Sequence, residues 1–592
     1  MKRLLYQLAQ RGEISWLSFH FAEFIATQSP NAIDDPLCLS AAMLCEANQQ
    51  GSVCLDLAEL AGKPMFGSTG IEPQLIAPAA PAWCDLLRAS NCVGGPGDRA
   101  PLTLEGPRLY LNRFWFYEDF IAVKIQQLLV QESLPDRSRV SSEFDSIFAA
   151  QTGMDKDQRQ AVLTAASKSF SVISGGPGSG KTSTVVRILS LLLTLNPNYR
   201  IALAAPTGKA AARMLDSIRA RIGELGVDDA IKQALPVTAS TIHRLLAYRR
   251  HGFEYDASHP LPVDCIIVDE ASMIDLKLMF HLLTALPPRV RLILLGDRDQ
   301  LASVAAGNVL GDITGHGQPM DAGADSLCSS IALLRSNYRF GETTAIGELA
   351  TLINRGQSAA ALELLGQNRR GLRWFMDSTD HIHAQALEWI CAAYQPIFDS
   401  QSPGDALDCY ESARVLSATN LGPLGIEALN QTISSTLLAR NNQAETELYH
   451  GLPIMITRNL HELGLYNGDT AILWQFGQGL RACFRDGSDG IRDLAINRLP
   501  GFVPAWASTV HKSQGSEFDS VLLIMPADPD SEALSRELVY TAVTRARSSF
   551  ILQAPAGVMT SAIARLTRRH SGLAHKLGWP VQAASPTTGG LA

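Results

Sequence analysis

Apolar positions along the chain follow two different rhythms. Up to about residue 115 they recur at helical spacing, as over 16–26 and 37–46, and no chemical motif accompanies them. From about residue 150, short apolar and β-branched runs alternate with helix-forming stretches, at 170–174, 200–205, 264–268 and 291–295. Each run is continuous rather than alternating, as a parallel strand covered on both faces requires. A second series opens at 413–418 and ends at 520–525 and 550–553. Between these, over 440–505, shorter strand-like pieces separated by Gly, Asn and Asp predict a small β-barrel inserted into the second block. The pattern predicts an α/β fold: a mostly helical N-terminal domain over 1–115, a linker over 116–149, blocks at 150–340 and 341–575, and a disordered tail over 576–592.

Composition narrows the classes. A chain of 592 residues exceeds what one core serves, and 46% hydrophobic with 18% charged residues describes a globular protein. No apolar run is long enough to span a bilayer. The basic, apolar start Met1–Leu5 is interrupted by Gln7, Gln10 and Arg11, so no signal peptide and a cytoplasmic location are expected. Ten cysteines include no C-x-x-C pair, and Cys38, Cys45 and Cys54 have apolar neighbours, which favours buried thiols over a metal site. His381 and His383 lack acid or thiol neighbours and read as surface histidines. The net charge of −8 argues against a broad electrostatic grip on nucleic acid. Any such contact must be local, lie in a groove, or be shared with partner chains. The aromatic run Phe114-Trp115-Phe116-Tyr117 reads as packing rather than base stacking.

Candidate chemistry begins at Gly175-Gly176-Pro177-Gly178-Ser179-Gly180-Lys181-Thr182-Ser183, a G-x-x-x-x-G-K-[ST] loop between a strand and a helix-forming run. Its glycines let backbone N–H groups wrap phosphates, Lys181 reaches the β- and γ-phosphates of ATP, and the Thr182 hydroxyl ligates Mg²⁺. Asp269 and Glu270 close a strand where ligands bind in open α/β sheets; Asp269 is assigned to Mg²⁺ and Glu270 to the attacking water. Gln300, in Gly296-Asp297-Arg298-Asp299-Gln300, is placed at the γ-phosphate. Arg339 and Arg545 are the candidate cations that reach the transferring phosphoryl group from a second domain. Outside Asp269 and Glu270 no acidic set suggests a nuclease site.

Together these segments resemble superfamily 1 helicases over about 150–555, with further matches at Gln158, 205–211, 240–245, 418–420 and 508–518. The stretches 173–178, 453–459 and 466–469, with looser N-terminal matches at 51–57 and 108–111, are similar to the α-subunit family of exodeoxyribonuclease V. The resemblance implies two RecA-like P-loop domains with an SH3-like insertion. It places Gln158 at adenine, Gly515 and Glu517 near the nucleotide, and Thr207, Lys209, Thr241, His243, Asn420, Thr509 and His511 on the DNA strand. It further implies a 5′→3′ DNA motor acting at DNA ends with β and γ subunits (RecB and RecC) in double-strand break repair and recombination. The N-terminal domain would dock on the γ subunit and be removable without loss of the motor. A stand-alone helicase and an ATP-binding switch without translocation are the alternatives.

Overall fold

The computed structural model describes residues 2–580 except 29–33, 67–74, 132–136, 149–153, 223–228, 250, 316–326, 337, 339–343, 377–379, 445, 478 and 487–489. Two parallel sheets organise it. The first runs Ile331–Leu334, Phe170–Gly175, Arg291–Gly296, Cys265–Val268, Ile201–Ala205, Ala239–Thr241, with every neighbouring pair parallel. Its central strands Phe170–Gly175, Cys265–Val268 and Arg291–Gly296 are buried at every position, which explains their unbroken apolar runs. The second runs Leu372–Phe375, Ala546–Gln553, Phe518–Ile524, Ala413–Ser417, Ala507–Thr509, again parallel throughout.

Between Ala413–Ser417 and Ala507–Thr509 the chain forms a five-stranded antiparallel sheet in the order Gly490–Ala495, Gly479–Asp486, Thr470–Phe476, Pro453–Ile456, Phe502–Pro504. Among the described residues its two outer strands are not paired with each other. Its buried positions merge with those of helix Ala384–Asp399 and strand Ala413–Ser417 in one core.

The N-terminal region is helical, with Lys2–Gln10, Trp16–Gln28 and Asp34–Gln49, but it also carries a four-stranded sheet that helical periodicity did not predict. Its strands have two to four residues, too short for any periodicity to register. The stretch 116–149, expected as a linker, contains helices Asn112–Val130 and Arg137–Phe148. Val140, Phe144 and Phe148 recur every fourth residue and bury one stripe against Ala161, Val162 and Ala165, while polar residues on the other faces masked the pattern. Phe116, Tyr117 and Phe120 surround Phe280 of helix Leu276–Thr284, with ring centroids 5.6, 4.4 and 4.9 Å away. The aromatic run therefore anchors the N-terminal region to the first sheet. Val53, Cys54 and Tyr110 share a core with Ile266 and Leu292 of that sheet, while most other buried apolar residues from Leu5 to Leu109 pack in a core of their own.

The tail also differs from expectation. After helix Ala556–Ala564 the chain crosses three parts of the molecule. The Arg565 carbonyl accepts from Arg536 N in the second block, and the His570 carbonyl accepts from Val53 N in the N-terminal region. Arg569 donates to the carbonyls of Ser303, Ala305 and Gly307 in the first block. Trp579, only 6% exposed, donates its indole N–H to the Ile313 carbonyl at 3.1 Å. Residues 581–592 lie outside the described residues.

Glu118 fixes this strap from below. It has no exposed surface and accepts from Ser571 Oγ at 2.5 Å and from Gly572 N at 3.0 Å. Burial pushes its carboxyl from 4.5 up to about 7, against the pull of these donors. Between those values the folded chain holds a proton that the unfolded chain has released, so stability falls as pH rises through this window and levels above it. Glu118→Gln cannot ionise and should lack this slope. Urea unfolding at pH 5 and pH 8 should show the variant gaining on the wild type at the higher pH, by about 1–3 kcal/mol; parallel profiles would remove the assignment.

Candidate nucleotide and nucleic-acid site

The Gly-rich loop leaves the strand Phe170–Gly175 and delivers the chain into helix Lys181–Leu195. Gly180 stands at φ +84°, and a Cβ there would lie 2.2 Å from Gln158 Nε2, so the tight turn and the approach of Gln158 both require glycine. Lys181 Nζ folds across the loop and donates to the carbonyls of Gly175 and, at 3.1 Å, Gly176. Gly175, Gly176 and Ser179 back the loop, while Pro177, Gly178, Gly180, Lys181, Thr182 and Ser183 line a cavity of about 620 Å³.

Both sheets wall this cavity. From the first come Gln158, Asp269, Glu270 and Gln300; from the second come Gly515, Glu517 and Arg545. Glu270 is held at φ +52°, a left-handed conformation uncommon for a residue with a side chain, at the exit of strand Cys265–Val268. Removal from water, then the adjacent Glu270, pushes the Asp269 carboxyl up, with Lys181 opposing. Arg545, 2% exposed, donates to the carbonyls of Thr541 and Ser516; burial lowers its pKa while Glu270 and Glu517 favour its charge. Arg339 lies outside the described residues.

The lining contains residues that motif reading missed. Arg213, Ser217 and Arg221 follow at four-residue spacing on helix Gly208–Ile222, and Arg187 and Tyr338 stand beside Gln158. Arg213 reaches the second block, donating to the Gly515 carbonyl at 2.7 Å and pairing with Glu517 at 2.9 Å. Arg187 donates to Gln158 Oε1, Arg221 to Ser183 Oγ, and the Tyr338 hydroxyl to Asp155. The four-residue spacing of Arg213, Ser217 and Arg221 was a usable signal, because residues four apart share a helix face.

The seven residues matched to the DNA strand stand at strand ends or on the helical segments that follow them. Thr207 follows strand Ile201–Ala205 and Thr241 ends its neighbour; Asn420 follows Ala413–Ser417 and Thr509 ends its neighbour. The Thr207, Thr241 and Thr509 hydroxyls each accept a backbone N–H, from Ala210, Arg244 and Lys512. Thr207 and Thr241 are half-buried, so their hydroxyl protons can serve an outside acceptor such as a phosphate oxygen, whereas Thr509 is buried. Lys209, His243 and Asn420 are exposed. His511 is half-buried, and burial followed by nearby Arg569 lowers its pKa, which keeps it neutral near pH 7. Residues 510–517 join Thr509 directly to Gly515 and Glu517 at the cavity.

Among the described residues no helix is long and apolar enough to cross a membrane. Three family models match: "RecBCD enzyme subunit RecD, N-terminal domain" over 10–110, "AAA domain" over 158–306 and "UvrD-like helicase C-terminal domain" over 504–552. The chain is 36% identical to the RecBCD enzyme subunit RecD of Mycolicibacterium smegmatis, over 91% of this chain and 93% of that one. It is 33% identical to the Haemophilus influenzae subunit over 80% and 81%. It is 28% identical to the ATP-dependent RecD2 DNA helicase of Deinococcus radiodurans, over 95% of this chain and 72% of that one. Matched at such identity along almost its whole length, and at its N-terminal region by that subunit's own domain, the chain belongs to the RecBCD enzyme subunit RecD family.

Proposed function

We propose that this chain is an ATP-dependent DNA helicase that moves 5′→3′ along single-stranded DNA as the α subunit of a RecBCD-type helicase–nuclease, with RecB- and RecC-type partners. One observation carries the reading: a single cavity is walled by a phosphate-binding loop from one parallel sheet and by Gly515, Glu517 and Arg545 from the other. A site divided in this way converts nucleotide binding and loss into closing and opening of two domains. The 5′→3′ direction and the SH3-like character of the inserted sheet rest on the motif likeness alone.

In this reading Lys181 draws the β- and γ-phosphates, replacing its loop carbonyls with stronger acceptors. The Thr182 hydroxyl and the Asp269 carboxylate, both on the wall, are hard oxygen donors of the kind Mg²⁺ takes, and the ion would neutralise phosphate charge there. Glu270 takes the proton of the attacking water, Arg545 and Arg339 meet the developing charge, and Gln158 holds the base. Thr207, Lys209, Thr241, His243, Asn420, Thr509 and His511 grip the strand. The chain has no nuclease site of its own and depends on a partner for cutting.

Docking is assigned to helix Trp16–Gln28. Trp16, Leu17 and Phe24 are 47, 61 and 54% exposed, an apolar surface on the part matched by the RecD N-terminal model.

Lys181→Gln should lower ATP turnover more than about 100-fold with an unchanged melting temperature; turnover at half the normal rate would remove the site assignment. Wild-type turnover should rise with single-stranded DNA, the rise should shrink with salt, and duplexes with 5′ tails should be opened in preference to 3′-tailed ones. Indifference to DNA would end the motor reading. Because Val53, Cys54 and Tyr110 pack into the motor's core, docking is tested on the surface: Leu17→Asp with Phe24→Asp should keep DNA-stimulated turnover and lose co-purification with the partner subunits. Retained co-purification would place the interface elsewhere.

A further inference from the structure

The residue that locks Gln300 comes from the opposite domain. Asp297, 2% exposed at the exit of strand Arg291–Gly296, accepts three hydrogen bonds. Asp299 N donates to its Oδ1 at 3.1 Å. Gln300 Nε2 and the Tyr540 hydroxyl both donate to its Oδ2 at 3.0 Å. Tyr540 belongs to helix Arg536–Val543 of the second block and is 6% exposed, so its hydroxyl crosses the domain interface to reach Asp297. The crossing is close-packed: a Cβ on Gly176 of the phosphate loop would lie 2.9 Å from that hydroxyl. Beside it Thr541 Oγ1 accepts from Leu301 N at 3.0 Å, and Gln514 Nε2 donates to the Leu301 carbonyl at 2.8 Å.

This network decides which end of the Gln300 amide turns away from Asp297. A carboxylate only accepts, so the Gln300 NH₂ must turn towards Asp297. The other end, Oε1, is buried without a partner in a side chain that lines the nucleotide cavity. An acceptor suits an O–H donor, not a phosphate oxygen.

We propose that Tyr540 is a positioning residue for hydrolysis: through Asp297 it holds Gln300 so that Oε1 accepts a hydrogen bond from the attacking water. One water proton points to Gln300 Oε1 and the other passes to Glu270. The water oxygen bonds the γ-phosphorus as its bond to the β,γ-bridging oxygen breaks, and ADP leaves with that oxygen. When the two domains part, the Tyr540 hydroxyl leaves Asp297 and the amide is released. Water is then aligned only in the closed state, which ties hydrolysis to domain position.

The inference rests on the hydrolytic reading above, and the test separates the two. Steady-state ATP turnover of the full chain is measured, with and without single-stranded DNA, for Tyr540→Phe, Gln300→Ala and the double variant. Tyr540→Phe keeps the ring in its core and removes only the hydroxyl. It should lower kcat about 10- to 100-fold, as loss of an outer partner that orients a reacting group does, with KM for ATP changed less than about twofold. The double variant should be no slower than Gln300→Ala, since Tyr540 acts through Gln300. Asp297→Asn, whose amide can turn either face to Gln300, should match Tyr540→Phe and serves as the second probe. Multiplying losses in the double variant, or unchanged kcat in Tyr540→Phe, would overturn the positioning role while Lys181→Gln remained inactive. Turnover surviving in Lys181→Gln would overturn both readings.

Discussion

A parallel sheet covered on both faces leaves only its strand ends free for chemistry, and this constraint distributes the functional residues of the chain. In the first sheet the phosphate loop, Asp269 and Asp297 follow adjacent central strands, Phe170–Gly175, Cys265–Val268 and Arg291–Gly296. Thr207 and Thr241 follow the two strands beyond them, towards the edge. The order of strands thus sets nucleotide chemistry at the centre and the proposed strand contacts at the rim. In the second sheet Gly515 and Arg545 precede strands Phe518–Ile524 and Ala546–Gln553, whereas Thr509 ends Ala507–Thr509 and Asn420 follows Ala413–Ser417. The two duties therefore fall at opposite ends of its strands. Residues 510–517 carry the chain from one duty to the other.

The cavity wall is mostly charged and polar, so its stability cannot come from apolar burial alone. The structure settles this with cross-domain pairs. Arg213 from the first block holds Glu517 and the Gly515 carbonyl of the second, and Arg547 reaches the same Glu517. Glu517 is mostly shielded from water, which makes these pairs stronger than surface ion pairs while leaving their cations next to the space that phosphates would enter. An anion arriving there competes for the same arginines. Binding and domain closure thus draw on one set of charges.

Much of this was legible in sequence wherever burial leaves a one-dimensional trace. Continuous apolar runs marked the parallel strands to within a residue or two for 170–174 and 264–268. The phosphate loop was unmistakable because its chemistry is local. What stayed hidden depends on partners far along the chain. Arg569 is bound by three backbone carbonyls that any sequence supplies, so nothing in 303–307 signals it. Helix Arg137–Phe148 has only three fully buried apolar residues within a polar segment. The inserted sheet was visible from its turns, whose Gly, Asn and Asp residues leave a local trace.

The strap gives the N-terminal region a reason to be built into the motor. Gly51 and Arg569 meet at the segment that follows Gln300: the Gly51 carbonyl accepts from Gly307 N at 2.9 Å, and Arg569 takes the carbonyls on either side. A Cβ on Gly51 would lie 2.7 Å from the Arg569 guanidinium, so this crossing tolerates no side chain at position 51. The loop that carries Asp297 and Gln300 is therefore held on one side by Tyr540 and Thr541 of the second block. A few residues later it is held by the N-terminal region and the strap. Breaking either hold leaves the other in place, so the loop can shift against the second block while staying fixed to the first. Such an element can register domain closure without unfolding.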